Sequence, residues 1–485
     1  MNRNTVITML QDTDRVVELL KDMFSGFYGH EPALVKALPG AGSDRSYYRL
    51  WSDEFTVVGA HNPDSVDHQA FVFLSRHFKA KNFPVPSILA SDHENGIYLI
   101  EDLGDETLLN WIENNGSRPD FYGELTRLYH SVINDLVVFQ IDGDAGLDYS
   151  NLPVHDFDAV SMQWDLNYFK YYFLKPAGIK FNETALEKDF NCLAGYLLQE
   201  KVKAFMYRDF QARNIMLHNQ GLYYIDYQGG RKGPLQYDLV SLLFQAKAAV
   251  PDPIKQELIG YYIVKLSERI SFDQEAFSRR FNGFVLLRLL QVMGAYGFRG
   301  WFERKPHFLE SIPLLKSNIR WLFSYDAFHP GLDELKRIMG LIMEKIETNS
   351  LLPQSQLTVS VNSFSYRRGI PYDPSGHGGG FVFDCRLLPN PGRLEEFRML
   401  TGKDQQIIAY LENEPEVNSF VKNAETLVSQ SVESYIKAGY QNLQVNFGCT
   451  GGRHRSVYCA EKLAARMQKD KRLKVLLKHL EFQNL

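Results

Sequence analysis

Residues 203–243, KAFMYRDFQARNIMLHNQGLYYIDYQGGRKGPLQYDLVSLL, constrain the fold more than any other stretch of the chain. The apolar run before Asp209 reads as a short strand that delivers a loop. Residues 215–218 and 222–225 alternate around Asn219-Gln220-Gly221, a turn signal, and so read as a hairpin. Pairing across that turn sets Asn214 roughly opposite Asp226. A carboxylate and an amide then meet at one end of the ribbon, with Asp209 on the loop just before it.

Phosphoryl transfer needs such a set. One carboxylate, Asp209, accepts the proton of an attacking hydroxyl; the amide oxygen of Asn214 and the carboxylate of Asp226 hold the magnesium that bridges the phosphates of ATP. Asp and Asn also make ordinary turns, but three roles at this spacing, with strands on both sides, ask for more than a turn. The D-x4-N spacing followed by Ile-Asp after a hairpin is a kinase catalytic-loop pattern, with Tyr207 where protein kinases place His. The segments RDFQARN and IDYQGGRKGPLQYDLVSLL resemble the aminoglycoside-phosphotransferase-like family of small-molecule kinases. Within it they are most similar to the branch that phosphorylates cell-wall amino sugars at the anomeric hydroxyl. The resemblance implies an α+β, protein-kinase-like two-lobed fold and ATP with Mg²⁺ as cofactors. It also implies an acceptor of the N-acetylmuramate or N-acetylglucosamine type.

Upstream, residues 4–28 carry Val6, Leu10, Val16, Val17, Leu20 and Phe24 at helical spacing, and strands are expected within 33–60. Between the first two strands lies PGAGSDRS, where Gly40 and Gly42 allow close backbone approach to phosphate. Ser43 and Ser46 add hydroxyl donors there, and Arg45 adds a charge. The third strand lacks the lysine with which kinases grip the α- and β-phosphates. Its helix partner is no clearer, with Gln69 nearest to where a glutamate is expected; Arg45 or Arg49 supplies the missing charge. Residues 85–89 and 97–104 read as two strands and a break. The resemblance makes that break, with Glu101 and Leu103, the inter-lobe hinge that contacts adenine.

From 107 to 351 the pattern is mainly helical. The aromatic-rich segment 160–174 offers Trp164 and Tyr168 for stacking on a sugar and Asp165 or Asn167 for hydroxyls, or else is core. Asp238 reads as a structural anchor near the catalytic loop. Arg288, on a very apolar helix, requires a partner if buried.

A length of 485 residues exceeds one core, so two or three domains are expected. A net charge of −5 argues against a general nucleic-acid binder. The four cysteines lack C-x-x-C spacing, which argues against a disulfide framework or structural zinc and suits a reducing cytoplasm. Residues 1–14 lack the apolar run of a signal peptide, and 284–298 reads as too short to span a bilayer. A soluble, cytoplasmic protein without a membrane partner is expected.

The helical pattern breaks at 349–356, a linker. The expected domains are 1–348 (lobes about 1–104 and 105–348) and 357–485. In the second, strands and helices lead to Gly448-Cys449-Thr450-Gly451-Gly452-Arg453-His454-Arg455-Ser456. A strand, a glycine turn with basic residues and a helix start form an anion site. Cys449-x5-Arg455-Ser456 also fits a cysteine-phosphatase pattern, though no nearby Asp offers itself as the acid. The segments FVFDCRLLPNP and NFGCTGGRHRSVYCAEKLA closely resemble the RapZ C-terminal domain family. That implies a domain binding an amino-sugar phosphate, and small RNA, with Arg386, Cys449, Thr450, Gly451 and Arg455 as the pocket. Gly452, His454 and Ser456 complete the loop, and Arg455 is the expected phosphate clamp. Arg368 stands where that family has His, and 375–380 looks inserted. The basic stretch 469–479 reads as a solvated terminal helix or, more sharply, an RNA contact. The combined expectation is a sugar kinase joined to a phosphosugar sensor. The alternative is an inactive kinase fold acting as a nucleotide-gated, RNA-binding adaptor.

Overall fold

A computed structural model describes residues 3–39, 45–325, 327–328, 331–348, 357–372, 380–438, 440 and 442–482. Gly40, Gly42, Ser43 and the expected linker 349–356 lie outside the described residues. The chain divides into two compact units, Met1–Leu351 and Leu352–Leu485.

The first unit opens with an antiparallel sheet of order β1-β2-β3-β5-β4. Its strands are β1 (Leu34–Ala37), β2 (Ser46–Trp51), β3 (Thr56–His61), β4 (Ile88–Asp92) and β5 (Ile97–Glu101). Both faces of β5 are buried, because successive side chains point opposite ways. Leu99 joins Val16, Leu20 and Phe24 of the helix Arg3–Tyr28 in one apolar cluster. Tyr98, pointing the other way, stacks on Phe71 of the helix Ser65–Ala80. Asp64 starts that helix by accepting from the Val66 and Asp67 amides.

Beyond Gly104 the unit is helical except for two short ribbons. β6 (Lys203–Met206) pairs with β9 (Arg231–Pro234), and β7 (Ile215–His218) pairs with β8 (Gly221–Tyr224). The tight turn of the second ribbon is made by Asn219 and Gln220, at φ +48° and +62°. Gly221 is already in β8, opposite His218. β9 was not expected from sequence.

The helix Gln274–Gly297 runs on into a wider turn, Phe298–Phe302. Together they are long and apolar enough to cross a membrane, contrary to the shorter span read from sequence, but 67% of the relevant window is buried within the protein. This is a core helix, and its buried Arg288 reaches the loop that carries Asp209.

The second unit is a parallel sheet of order β11-β12-β10-β13, with β10 (Leu357–Ser365), β11 (Gly380–Asp384), β12 (Asn442–Cys449) and β13 (Leu473–His479). The helices Pro415–Ala438 and Arg455–Met467 contribute Val421, Val428, Cys459 and Leu463 to its core. The expected terminal helix at 469–479 is corrected here: its second half is β13, paired in parallel with β10. The reason is a period of two, with Leu473, Val475 and Leu477 packed inward while Lys474 and Lys478 alternate with them.

Candidate active site

β6 ends at Met206, and the next two amides, of Tyr207 and Arg208, both donate to Asp238, at 2.7 and 2.9 Å. Burial pushes the Asp238 carboxyl up to about 7, against the pull of those two donors. Asp238 thus holds the loop from beneath. Arg208 sits at φ +80°, a strained conformation for a residue with a side chain. Two fixed contacts keep it there: a forked pair to Asp165 at 2.7 and 2.9 Å, and a bond to the Tyr237 hydroxyl. Asp165 is therefore spent on the loop and is withdrawn as a sugar contact. Its neighbour Trp164 is 60% exposed and does not line the cleft.

The loop brings Asp209, Asn214 and Asp226 together. The Asn214 Nδ2 donates to the Asp209 carbonyl at 2.8 Å and to Asp226 Oδ2 at 3.3 Å. Asp226 sits at φ +68° and also accepts from Gln228 Nε2 at 2.8 Å. The Asp209 carboxylate accepts from Arg288 Nη2 at 2.9 Å. Burial would raise its pKa, but the charges of Arg288, Arg213 and Arg208 outweigh burial and hold it down at about 2. Arg288 has its partner, and that partner is the catalytic candidate itself.

All three side chains line a cleft of about 930 Å³ whose other wall is the β-sheet and the 101–105 segment. Glu101 and Leu103 are on that wall; Glu101 accepts from the Ser87 hydroxyl at 3.1 Å. Ser46 opens β2 opposite His61 and does not line the cleft, so its expected place at the nucleotide is corrected. Between Arg45 and Arg49 the structure distinguishes clearly. Arg49 is clamped by Asp102 and Asp105, at 2.6 and 2.9 Å. Arg45 instead bridges Asp67, at 2.9 Å, and Asp226, at 3.5 Å. Asp67 stands on the helix where Gln69 was sought, while Gln69 itself turns to His93.

In the second unit, the ends of β10, β11 and β12 bring Ser365, Asp384 and Cys449 to one edge of the sheet. Parallel sheets hold ligands at this edge. The Cys449 sulfur accepts from the Gly452 amide at 3.2 Å and lies 3.1 Å from the Ser456 hydroxyl, which curls the loop over the sulfur. Ser365 donates to the Thr450 carbonyl at 2.7 Å. Gly452 is at φ +68°, and a Cβ there would meet Glu481 and come within 2.9 Å of the Ser365 nitrogen. Glycine is thus required at 452, whereas a Cβ at Gly451 would find open space.

The basic side chains of this loop depart from expectation. Arg455 is buried, and its Nη1 donates to the carbonyls of Arg386 and Leu388, both at 2.9 Å. Nη1 thus braces the chain at 386–388, while the buried Nε has no partner among the described residues and is left as a donor for a ligand. The ring of His454 lies 3.1 Å from the Phe397 carbonyl, and burial lowers its pKa. Arg386 is exposed, forked onto Asp384 and stacked on Tyr366. Arg368, where the resembled family has His, pairs with Glu481.

Residues 35–272 match the phosphotransferase enzyme family, and residues 357–483 match the RapZ C-terminal domain. The chain joins a phosphotransferase domain to a RapZ C-terminal domain. Among curated relatives, a nucleotide-binding protein of Thermotoga sp. (strain RQ2) is 30% identical over 184 residues, covering 36% of this chain and 63% of that protein. Another, of Methylococcus capsulatus, is 34% identical over 179 residues, covering 37% and 55%. The chain therefore spans little more than half the length of these relatives. Among solved structures, an amicoumacin kinase is 12% identical with a TM-score of 0.45, over 69% of this chain and 95% of that one. Choline kinase LicA from Streptococcus pneumoniae is 12% identical with a TM-score of 0.41, over 70% and 99%.

Within the phosphotransferase domain, the sequence reading missed Asp67, Gln228 and Arg213. Asp67 lies two residues before the position inspected, and no pattern sets the helix's rotation against the sheet. Arg213 was legible as the residue before Asn214, yet its charge gains meaning only once Asp209 is seen to be held by it. In the RapZ C-terminal domain, the bracing carbonyls of residues 386 and 388 carry no sequence signal at all.

Proposed function

We propose that the phosphotransferase domain transfers the γ-phosphoryl group of ATP to a hydroxyl of an amino sugar, of the N-acetylmuramate or N-acetylglucosamine type, at the anomeric position. The observation that carries this reading is the meeting of Asp209, Asn214 and Asp226 at one end of a hairpin, on the wall of one cleft. The acceptor oxygen bonds to phosphorus, the bond from phosphorus to the ADP oxygen breaks, and the hydroxyl proton passes to Asp209. With its pKa held at about 2, Asp209 is a weak base. Its main work is to orient the hydroxyl and take the proton late, as a loose transition state allows.

The residues suit Mg²⁺. Asn214 spends its Nδ2 on protein acceptors, so Oδ1 is the atom it offers a cation. Asp226 is 37% exposed at the cleft and supplies a hard carboxylate oxygen. When bound, the ion would neutralise phosphate charge. Arg45, tethered by Asp67 beside Asp226, takes the part of the missing strand lysine against the phosphates. The 101–103 backbone would face the adenine.

A second reading keeps ATP binding without turnover, as a nucleotide-gated adaptor; the lysine-free β3 favours it. Release of ADP with Mg²⁺ across amino sugars, aminoglycosides and simple hexoses separates the two. No turnover alongside tight ATP binding leaves the adaptor.

The RapZ C-terminal domain is proposed to bind an amino-sugar phosphate at the Cys449–Ser456 loop and to report it to the kinase. The loop amides and the start of the helix Arg455–Met467 support an anion there. RNA contact along the lysines of β13 is a lesser proposal. The cytoplasm is the proposed compartment, consistent with four free cysteines. Calorimetric titration of glucosamine-6-phosphate into the full chain tests the site; adding it to the ADP-release assay tests the coupling.

A further inference from the structure

Asp226, Tyr227 and Gln228 lie just after β8 on a tight turn, closed by the Gly230 amide donating to the Tyr227 carbonyl at 2.9 Å. Tyr227 pins the turn. It is buried, stacks on Phe71, and its hydroxyl lies 2.6 Å from that of Ser75 on the helix Ser65–Ala80. The residues on either side of it turn to each other. Gln228 Nε2 donates to Asp226 Oδ1 at 2.8 Å, and both residues line the cleft.

That bond fixes which way round the Gln228 amide stands, because the reverse orientation would set two acceptor oxygens against each other. The free end of the amide is therefore Oε1. It has no partner among the described residues, although Gln228 is only 6% exposed. A buried acceptor with nothing to accept from costs free energy, and folded chains keep few of them. Leucine would fill much the same space without that cost, so packing alone gives no reason for an oxygen here. The neighbouring groups supply one. Asn214 commits Nδ2 to the Asp209 carbonyl and to Asp226 Oδ2, which leaves its Oδ1 open. With the Asp226 carboxylate and Gln228 Oε1, that makes three side chains offering oxygen, one charged and two neutral. Such a set suits a hard cation.

We infer that Gln228, through Oε1, is a third protein ligand of the cation that accompanies ATP, beside Asn214 and Asp226. The inference rests on the phosphotransferase reading and deepens it by adding a residue to the cation site. Two of the three oxygens are neutral, so the phosphates must supply most of the negative charge. The cation is accordingly held together with the nucleotide rather than before it.

The test is calorimetric titration of AMP-PNP into the full-length protein, in saturating Mg²⁺ and in EDTA, with no sugar present. Gln228→Leu removes the oxygen at similar size, and should weaken binding about tenfold in Mg²⁺ while leaving it unchanged in EDTA. Gln228→Glu cannot donate to Asp226 but restores an oxygen, now charged, and should recover most of that loss in Mg²⁺. The pair of variants separates two roles. If Gln228 served only to steady Asp226 through Nε2, a carboxylate facing Asp226 would be at least as damaging as leucine. Glutamate no better than leucine in Mg²⁺ therefore overturns the inference. So does a leucine variant that binds like wild type in Mg²⁺, which would assign Oε1 to some other donor. A loss of equal size in EDTA overturns it too, as the mark of a merely structural residue. In these three cases wild type still binds more tightly with Mg²⁺, and the phosphotransferase reading stands. Wild-type binding that ignores Mg²⁺ overturns both.

Discussion

Two loops in this chain look alike as sequence and are built in opposite ways. Each follows a strand, each is rich in charge, and each carries an arginine that invites a functional reading. Around the loop that carries Asp209 the arginines point at acids. Arg288, from the helix Gln274–Gly297, reaches Asp209, and the loop's own Arg208 reaches Asp165, so the Asp209 carboxylate is held in a set direction at the cleft. In the Cys449–Ser456 loop the central arginine points at backbone. Arg455 donates to two carbonyls, and His454 turns to a third. The first loop displays side chains; the second turns much of its side-chain bonding inward to shape a backbone that displays amides, with the Arg455 Nε left unpartnered. A charged residue in a motif therefore has two uses, and only its partners tell them apart.

The largest effect should come from the displayed side chain. Asp209→Asn is expected to lower kcat by about 10²–10⁴ while ATP binding stays close to wild type, read by ADP release and nucleotide titration. Wild-type-like turnover would remove the catalytic assignment and with it one side of the comparison. Next is Arg45→Ala, which should lower kcat/KM for ATP by about ten- to a hundredfold, with Asp67→Asn weaker in the same direction. Unchanged KM in both variants would mean that the Arg45–Asp67 pair is only structural.

The consumed side chain should behave differently. Arg455→Ala leaves the carbonyls of Arg386 and Leu388 without their donor, and should destabilise the RapZ C-terminal domain by about 1–3 kcal/mol in denaturant unfolding of the full chain. Phosphosugar binding should weaken through that loss of shape. A variant as stable as wild type that fails to bind would restore Arg455 as a direct clamp. Arg386→Ala is the matched control at the same sheet edge. Its pair with Asp384 is exposed, so unfolding stability should stay close to that of wild type.

The subtlest test is a pH profile. Asp209, depressed to about 2, stays ionised over the whole working range, so its ionisation should impose no acid limb on kcat above about pH 4. Arg288→Gln removes the first of the charges that oppose burial, so the Asp209 pKa rises. Activity in that variant should then fall, as pH is lowered, at a higher pH than in wild type. Identical profiles would show that Arg213 and Arg208 suffice without it.

Much of this was legible beforehand, for reasons that can be named. The D-x4-N spacing and the hairpin after it are local, and backbone geometry converts local spacing into the Asn214–Asp226 contact. The strands and helices of the second unit were legible as apolar runs around a glycine loop, whereas their parallel pairing was not read from them. The turn was misread by one residue because Gly221 is the usual marker, while here Asn219 and Gln220 take the left-handed positions. The stretch 469–479 was misread because its lysines hid an alternation of period two, and only β10 beside it supplies the reason for a strand.

By itself, the sequence determined which short segments carry chemistry, since a turn, a strand or a loop depends on neighbours a few residues away. Tertiary structure alone decided what each charge is for. Arg45 and Arg49 lie four residues apart on one strand region, and no local rule distinguishes them. The packing of the helix Ser65–Ala80 and of the 101–105 segment gives one of them Asp67 and the other Asp102. Arg288 is separated by 79 positions from the carboxylate it holds. A buried charge must find its counter-charge wherever the fold puts one, and that position is a property of the packed chain rather than of any segment of it.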